Sequence, residues 1–121
     1  MEHWSDKKLI ISLRKDSVEA FNIIYWRYQS RLYANIFKLL KDIESTQDIL
    51  QEVFITLWEK RLSIDPEREI GGWLFTVGYN KSINQLKQTL RKSLLFGEFN
   101  EELQVPILDK TDYGKDQLLL I

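Results

Sequence analysis

The sequence predicts an all-α protein: a compact bundle of about four helices with a functional loop between the third and the fourth. Glycine and proline are scarce before residue 66, and apolar residues recur there at the three- and four-residue spacing of amphipathic helices. The chain has 121 residues, a length that suits one domain with a modest core. We therefore expect a single helical domain over residues 1–92.

The first two helices are predicted from polar cap residues that precede apolar repeats. The first helix runs to about Arg14, and the second runs to about Leu40. Glu19 lies three residues after Asp16, the spacing at which a cap and an acid satisfy each other's backbone N–H groups. The candidate N-caps are Ser5 or Asp6 for the first helix, and Asp16 or Ser17 for the second.

A polar turn precedes the third helix. Residues 41–44 predict this turn, and Ser45 is the candidate cap of a helix that contains Asp48 near its start and ends near Arg61. Its sequence from Asp48 to Trp58 reads DILQEVFITLW.

A loop is predicted over residues 62–72, with a turn at Asp65-Pro66 and with Gly71-Gly72 permitting unusual backbone angles. This loop is longer than the ~2–8 residues of most bundle connections, and long loops on rigid scaffolds tend to be functional. The fourth helix is predicted to begin at Gly72 or Trp73 and to end at Leu90 or Lys92.

The remaining residues, 93–121, differ in charge and composition. Residues 1–92 carry 15 Lys/Arg and 12 Asp/Glu, a net +3, whereas residues 93–121 carry 2 and 6, a net −4. Gly97, Pro106 and Gly114 interrupt any helical pattern. We expect an acidic linker that ends, at QLLLI, in the truncated start of a following domain.

The second helix has a wide apolar surface, which predicts a central helix contacted from two sides. Its aromatic side chains are interpreted as core in preference to a ligand-binding cluster. One face carries Phe21, Ile24, Tyr25, Tyr28, Leu32, Ile36 and Leu39, and an adjacent strip carries Trp26, Tyr33, Phe37 and Leu40.

The third helix separates into two faces. Its predicted core stripe consists of Ile49, Leu50, Val53, Phe54, Leu57 and Trp58. Its outer face consists of Asp48, Gln51, Glu52, Ile55 and Glu59. A single exposed Ile among acids is compatible with an ordinary solvated face. It is equally compatible with a docking face, in which an apolar anchor and acids meet a basic partner.

The fourth helix is predicted to bury Phe75, Tyr79, Ile83, Leu86 and Leu90. Its other face carries Trp73, Val77, Asn80, Lys81, Asn84, Lys87, Gln88 and Arg91, in a stretch without an acid between Glu69 and Glu98. Amides bond base edges, cations meet phosphates, and an aromatic ring stacks on a base. This face suits an unpaired nucleic-acid strand; alternatively, Trp73 and Val77 pack against a neighbouring helix while the other side chains are solvated.

Several function classes are disfavoured by composition. With no cysteine and with His3 as its single histidine, the sequence offers no Ser-His or Cys-His nucleophile and no Glu-x-x-His metal pair. It has no phosphate-binding glycine motif. We therefore expect no enzyme, no cofactor and no metal. The absence of a membrane-length apolar run and of a signal peptide predicts a cytoplasmic protein without membrane insertion.

The order of these segments resembles region 2 of the extracytoplasmic-function (ECF) group of bacterial RNA polymerase sigma factors. The resemblance covers roughly residues 10–92 and is carried by an aromatic-rich helix (AFNIIYWRYQSRLY), by DILQEVFITLW and by WLFTVGYNKSINQLK. The Asp-x-x-Gln-Glu-x-Phe-x-x-Leu-Trp pattern is fairly specific when Trp-Leu and Asn follow at this distance.

This resemblance implies two partners. Core RNA polymerase would receive the third helix on the clamp helices of its β′ subunit, through Asp48, Gln51, Glu52 and Ile55, with Glu59 alongside. Promoter DNA would meet the loop and the fourth helix, mainly as the non-template single strand of the −10 element. An anti-sigma factor is a further candidate partner.

Asn80 matches the family's Asn and is the best candidate for a base contact, while Trp73 and Leu74 match residues that support the loop. This chain departs from the family pattern at Tyr79, where Arg is frequent, and at Asn84, where Asp is frequent. Lys87 matches a basic position later in the helix.

Two rival interpretations follow from the same residues. The first is a helical interaction module that binds a basic partner through the third helix and never contacts nucleic acid. The second is a helix-turn-helix regulator that prefers duplex DNA, although the long loop before the fourth helix disfavours a tight helix-turn-helix.

Overall fold

The computed structural model describes residues 1–95, which fold into four α-helices without a strand, as the sequence predicts. The helices are α1 (Asp6–Leu13), α2 (Val18–Leu40), α3 (Ile43–Glu59) and α4 (Ile70–Leu95), and a short 3-10 turn, Arg61–Ser63, follows α3. Helix α2 is central and packs against each of the other three.

The helix starts are set by side-chain caps. Ser5 accepts a hydrogen bond from the Lys8 amide, and Ser17 accepts one from Ala20, so both predicted starts are confirmed. Helix α3 begins earlier than predicted, because Asp42 and not Ser45 is its cap. The Ser45 amide donates to the Asp42 carboxylate at 2.8 Å, and its hydrogen bonds lower the pKa of Asp42.

The core is formed chiefly by aliphatic side chains from all four helices, and the predicted inner stripe of α3 is confirmed. Ile49, Leu50, Val53, Phe54 and Leu57 are buried, and Trp58 packs half-buried against the same core.

The prediction that all aromatic residues of α2 belong to the core is wrong for two of them. Tyr28 is buried, but Trp26 is 72% exposed and Phe37 is 38% exposed. Trp26 lies two residues from buried Ile24, a step of ~200° around a helix, and therefore faces away from the core. It contacts the ring of Tyr25 edge-on, with centroids 5.5 Å apart.

The predicted glycine loop is also wrong. Gly71 and Gly72 are buried within the first turn of α4, and the segment between the 3-10 turn and α4 is only residues 64–69. A Cβ atom on Gly71 would lie 3.0 Å from Cε1 of Tyr28. The missing side chain therefore serves close approach between α4 and α2, not an unusual backbone angle.

The inner face of α4 differs from the prediction for the same reason. Of the five residues predicted to be buried, only Ile83 is buried, while Phe75, Tyr79, Leu86 and Leu90 are partly exposed. Small side chains let α4 pack closely against α2, which leaves bulky ones at its margin. The buried positions are Ile70, Gly71, Gly72, Leu74, Thr76, Gly78, Ser82 and Ile83.

Most of the predicted linker lies outside the described residues; residues 93–95 continue α4. Within residues 1–95, no helix is long and apolar enough to cross a membrane.

Candidate functional site

The outer face of α3 is fully accessible. Asp48, Gln51, Glu52, Ile55 and Glu59 are all exposed, and Ile55 has an exposed fraction of 50%. Among the residues that the structure describes, none of the three carboxylates on this face forms an ion pair. The face therefore presents an apolar centre with negative charges that have no partner within the described domain.

A groove between α2 and α3 adjoins this face. Its volume is about 920 Å³, and its wall includes Gln51, Ile55 and Glu59 from the outer face. Aromatic rings form much of the remaining wall: Tyr25 contacts Phe54 with centroids 4.8 Å apart, and further along the groove lie Phe21, Tyr33 and Trp58.

Sequence reasoning missed this groove because it assigned the aromatic residues to the core. The rings come from helices some thirty residues apart in the chain, as with Tyr25 and Phe54, so no local pattern reveals their proximity. The available signal was the i, i+4 repeat of Phe21 and Tyr25, which places two rings on one side of α2.

The outer face of α4 carries the predicted amides and cations. Trp73, Asn80, Asn84, Lys87 and Arg91 are separated by seven, four, three and four residues, so they share one side of the helix. Asn84, Lys87 and Arg91 are exposed, and Asn80 is partly exposed.

Lys81 and Gln88, seven residues apart, occupy the adjoining side of α4; Gln88 is exposed and Lys81 partly so. The alternative interpretation holds for two residues, because Trp73 and Val77 pack partly buried against the core. Helix α4 contains no acid, so the cations on its surface have no opposing charge on their own helix.

The segment before α4 is fixed at both ends and exposed between them. Ile64 is 5% exposed and Ile70 is fully buried, whereas residues 65–69 lie at the surface. A turn forms around Asp65, whose carboxylate accepts from the Glu67 amide at 2.9 Å and whose carbonyl accepts from the Arg68 amide at 3.1 Å.

Fold and surface chemistry define a small helical domain with an exposed acidic face around one apolar residue on α3 and an acid-free, amide- and cation-rich face on α4. Residues 24–92 match the family described as Sigma-70 region 2, and the chain belongs to that family. The resemblance inferred from the sequence is thereby confirmed.

Three relatives illustrate the similarity. The ECF RNA polymerase sigma factor SigX of Bacillus subtilis (strain 168) is 30% identical over 88 residues, 71% of this chain and 45% of that protein. SigW, an ECF RNA polymerase sigma factor of the same strain, is 28% identical over 82 residues, 68% of this chain and 44% of that protein. The RNA polymerase sigma-H factor of Pseudomonas aeruginosa is 24% identical over 81 residues, 67% of this chain and 42% of that protein. The chain thus matches less than half the length of each.

Proposed function

We propose that this domain belongs to an ECF-type sigma factor, docks on core RNA polymerase and recognises the promoter −10 element as the DNA opens. One observation carries the proposal: a member of the Sigma-70 region 2 family presents chemically opposite surfaces on α3 and α4. Such a domain acts by binding and not by catalysis, and it works in the cytoplasm with the polymerase.

The polymerase contact is assigned to α3. The family resemblance points to the β′ clamp helices, a basic partner, and to Asp48, Gln51, Glu52 and Ile55, with Glu59 at the end of the row. The exposed acids complement such a partner, which favours rapid and correctly oriented association. The groove beside Ile55 supplies aromatic surface, the kind that dominates binding energy at interfaces.

The DNA contact is assigned to the 64–69 segment and to the outer face of α4. Asn80 is the candidate for reading a base edge, and Asn84 and Gln88 offer further amides. Lys81, Lys87 and Arg91 would meet phosphates. Trp73 is partly buried against the core, which suits it to supporting the segment that receives a base.

Strand opening follows from selective binding. Each stacking step lost from duplex DNA costs on the order of 1–2 kcal/mol. A surface that binds only the opened strand shifts this equilibrium by its difference in affinity for the two states. Holding a flipped base adds sequence selectivity, because specific contacts must offset an unstacking cost of a few kcal/mol.

The test measures binding of labelled oligonucleotides of −10-like sequence, single-stranded and duplex, to the chain with and without core polymerase. We expect sequence-dependent binding to the single strand, with discrimination between sequences reduced about tenfold in Asn80→Ala, the scale of one good base contact. Asn22→Ala, which removes an exposed amide on α2, is the matched control and should bind normally.

Two outcomes contradict the proposal. Failure to bind any oligonucleotide in the presence of polymerase would leave the protein-interaction interpretation. A preference for duplex over single strand would instead indicate a duplex-binding regulator.

A further inference from the structure

Helix α1 contacts the 64–69 segment, and it also contacts Tyr28, the α2 residue against which the first turn of α4 packs. Two consecutive residues of its first turn make these contacts. Lys7 pairs with Glu67 in the exposed segment, with its Nζ atom 2.8 Å from the Glu67 carboxylate. Asp6 accepts a hydrogen bond from the Tyr28 hydroxyl and pairs with Arg27 at 2.7 Å.

Tyr28 carries the second contact through to α4. Tyr28 is 8% exposed, and its ring lies directly against Gly71, where an added Cβ atom would be only 3.0 Å from Cε1 of the ring. The guanidinium of Arg31 lies over the ring, 4.8 Å from its centroid. Burial, and then the hydrogen bond to Asp6, raises the pKa of Tyr28, so the hydroxyl stays protonated and keeps donating to Asp6. The position of Asp6 is thus transmitted, through one ring, to the first turn of α4.

The first turn of α1 is itself firmly placed. Arg27 donates to the backbone carbonyls of Glu2 at 2.8 Å and Trp4 at 2.9 Å, and Ser5 caps the helix. Leu9, Ile10 and Leu13 are fully buried against the bundle. Helix α1 is therefore firmly packed on the bundle, and the Lys7–Glu67 pair attaches the exposed segment to it.

The Lys7–Glu67 ion pair can fix the position of the segment while adding little to the free energy of unfolding. Lys7 and Glu67 are both well exposed, and exposed pairs add little to folding free energy because water screens them and side-chain entropy opposes them. Recognition of a base, in contrast, depends on placement to within about 0.5 Å. Buried isoleucines fix the two ends of the segment, and the contact at Glu67 adds a third point of attachment between them.

We propose that the first turn of α1 positions the 64–69 segment and the start of α4, with Lys7 and Tyr28 as positioning residues that sharpen base selection without taking part in polymerase docking. This inference rests on the proposed function, because it assumes that the segment and α4 receive the opened strand.

The first test is a charge exchange. The 121-residue chain, bound to core polymerase, is mixed with a single-stranded pool randomised at six positions, and sequencing of the bound fraction gives the enrichment at each position. Lys7→Glu sets two carboxylates against each other and should lower the highest enrichment on the order of threefold, the scale of one weak contact. The double variant Lys7→Glu/Glu67→Lys should restore it. Lys15→Glu, an exposed change of the same charge at the α1–α2 turn, should leave it unchanged.

The second test uses Tyr28→Phe, which keeps the ring against Gly71 and removes the bond to Asp6. We expect a similar loss of enrichment, with unchanged affinity for polymerase. If the wild-type chain selects a sequence while Lys7→Glu, the exchange and Tyr28→Phe all select it equally well, the positioning role is overturned. If Lys7→Glu loses selectivity and the exchange fails to restore it, the pair is not the cause and the proposal fails. If the wild-type chain itself selects nothing, the proposed function fails first.

Discussion

The outer faces of α3 and α4 both reach the surface of the bundle, but they are built in opposite ways. On α3, acids surround one apolar residue, Ile55, and the inner stripe consists of large side chains. On α4, amides and cations form the outer face, and the inner stripe includes Gly71, Gly78 and Ser82. Helix α3 is held in the bundle by large side chains that fill the core. Helix α4 is held by small residues that allow its backbone to lie close to α2. The protein can therefore present two unlike surfaces from a bundle of only four helices.

A charge at the apolar centre of α3 should have the largest effect on the two faces. Ile55→Asp should weaken binding to core polymerase by about 30-fold or more, the loss that corresponds to a ~2 kcal/mol hot spot. Glu52→Lys should act in the same direction by opposing a basic partner. Binding is measured by titrating labelled protein with core polymerase.

The matched control for that prediction is Ile43→Asp, because Ile43 is 60% exposed at the start of the same helix and outside the face proposed to dock. It should bind normally. Equal losses in Ile43→Asp and Ile55→Asp would show that charge anywhere on α3 is harmful and that no particular face docks. Loss of the helical circular-dichroism signal in Ile55→Asp would place that residue in the core.

The inner side of α4 is tested by two substitutions of the same kind. Gly71→Ala brings a Cβ atom to 3.0 Å from Tyr28, whose buried ring is held in place by its bond to Asp6, so overpacking should outweigh the helix preference of Ala and lower the free energy of unfolding by about 1–2 kcal/mol. At Gly78 a Cβ atom would lie 3.6 Å from Ile36, an ordinary contact. Gly78→Ala should therefore be neutral or stabilising by up to ~1 kcal/mol, because Ala favours the helix. Urea unfolding followed by circular dichroism distinguishes them, and equal effects would refute close approach at Gly71.

The smallest effect concerns charge on the outer face of α4. If the four cations of α4 (Lys81, Lys87, Arg91 and Lys92) all meet phosphates, the logarithm of affinity for single-stranded DNA should fall with the logarithm of salt concentration at a slope near −3. Lys87→Gln should make that slope less negative by ~0.7, the value of one phosphate contact on a single strand. Lys15→Gln, on the α1–α2 turn, should leave the slope unchanged. A slope that Lys87→Gln does not alter would remove Lys87 from the DNA contact.

The same contrast explains how much could be predicted from sequence. The inner face of helix α3 can be predicted from sequence because its buried residues are mostly large and apolar and recur at the helical period. The exposed face follows as the opposite side of the same helix. The inner face of helix α4 is harder to predict because the buried Gly78 and Ser82 carry no apolar signal, and Gly78 is covered by Leu32 and Ile36 of another helix. The helical apolar period is instead carried by residues at its margin, such as Leu86 and Leu90, which are only partly buried.

The candidate site divides in a similar way. The accessibility of its polar residues follows from local pattern, since Glu52 and Lys87 lie opposite apolar repeats on their own helices. The groove beside Ile55 and the contact of Lys7 with Glu67 are tertiary. They join residues 29 to 60 positions apart in the chain, and one sequence contains no signal for such pairs.

The two buried isoleucines at the ends of the exposed segment have a consequence for how such domains diversify. Ile64 and Ile70 fix the segment to the bundle. The side chains of residues 65–69 between them contribute little to the core, so they can be exchanged without disturbing it. If the segment receives the opened strand as proposed, promoter preference can change by exchange of the four other surface residues, with Glu67 retained as the point of attachment to α1. Neither the folding of the bundle nor the α3 face proposed to bind polymerase has to be re-optimised when those four residues change.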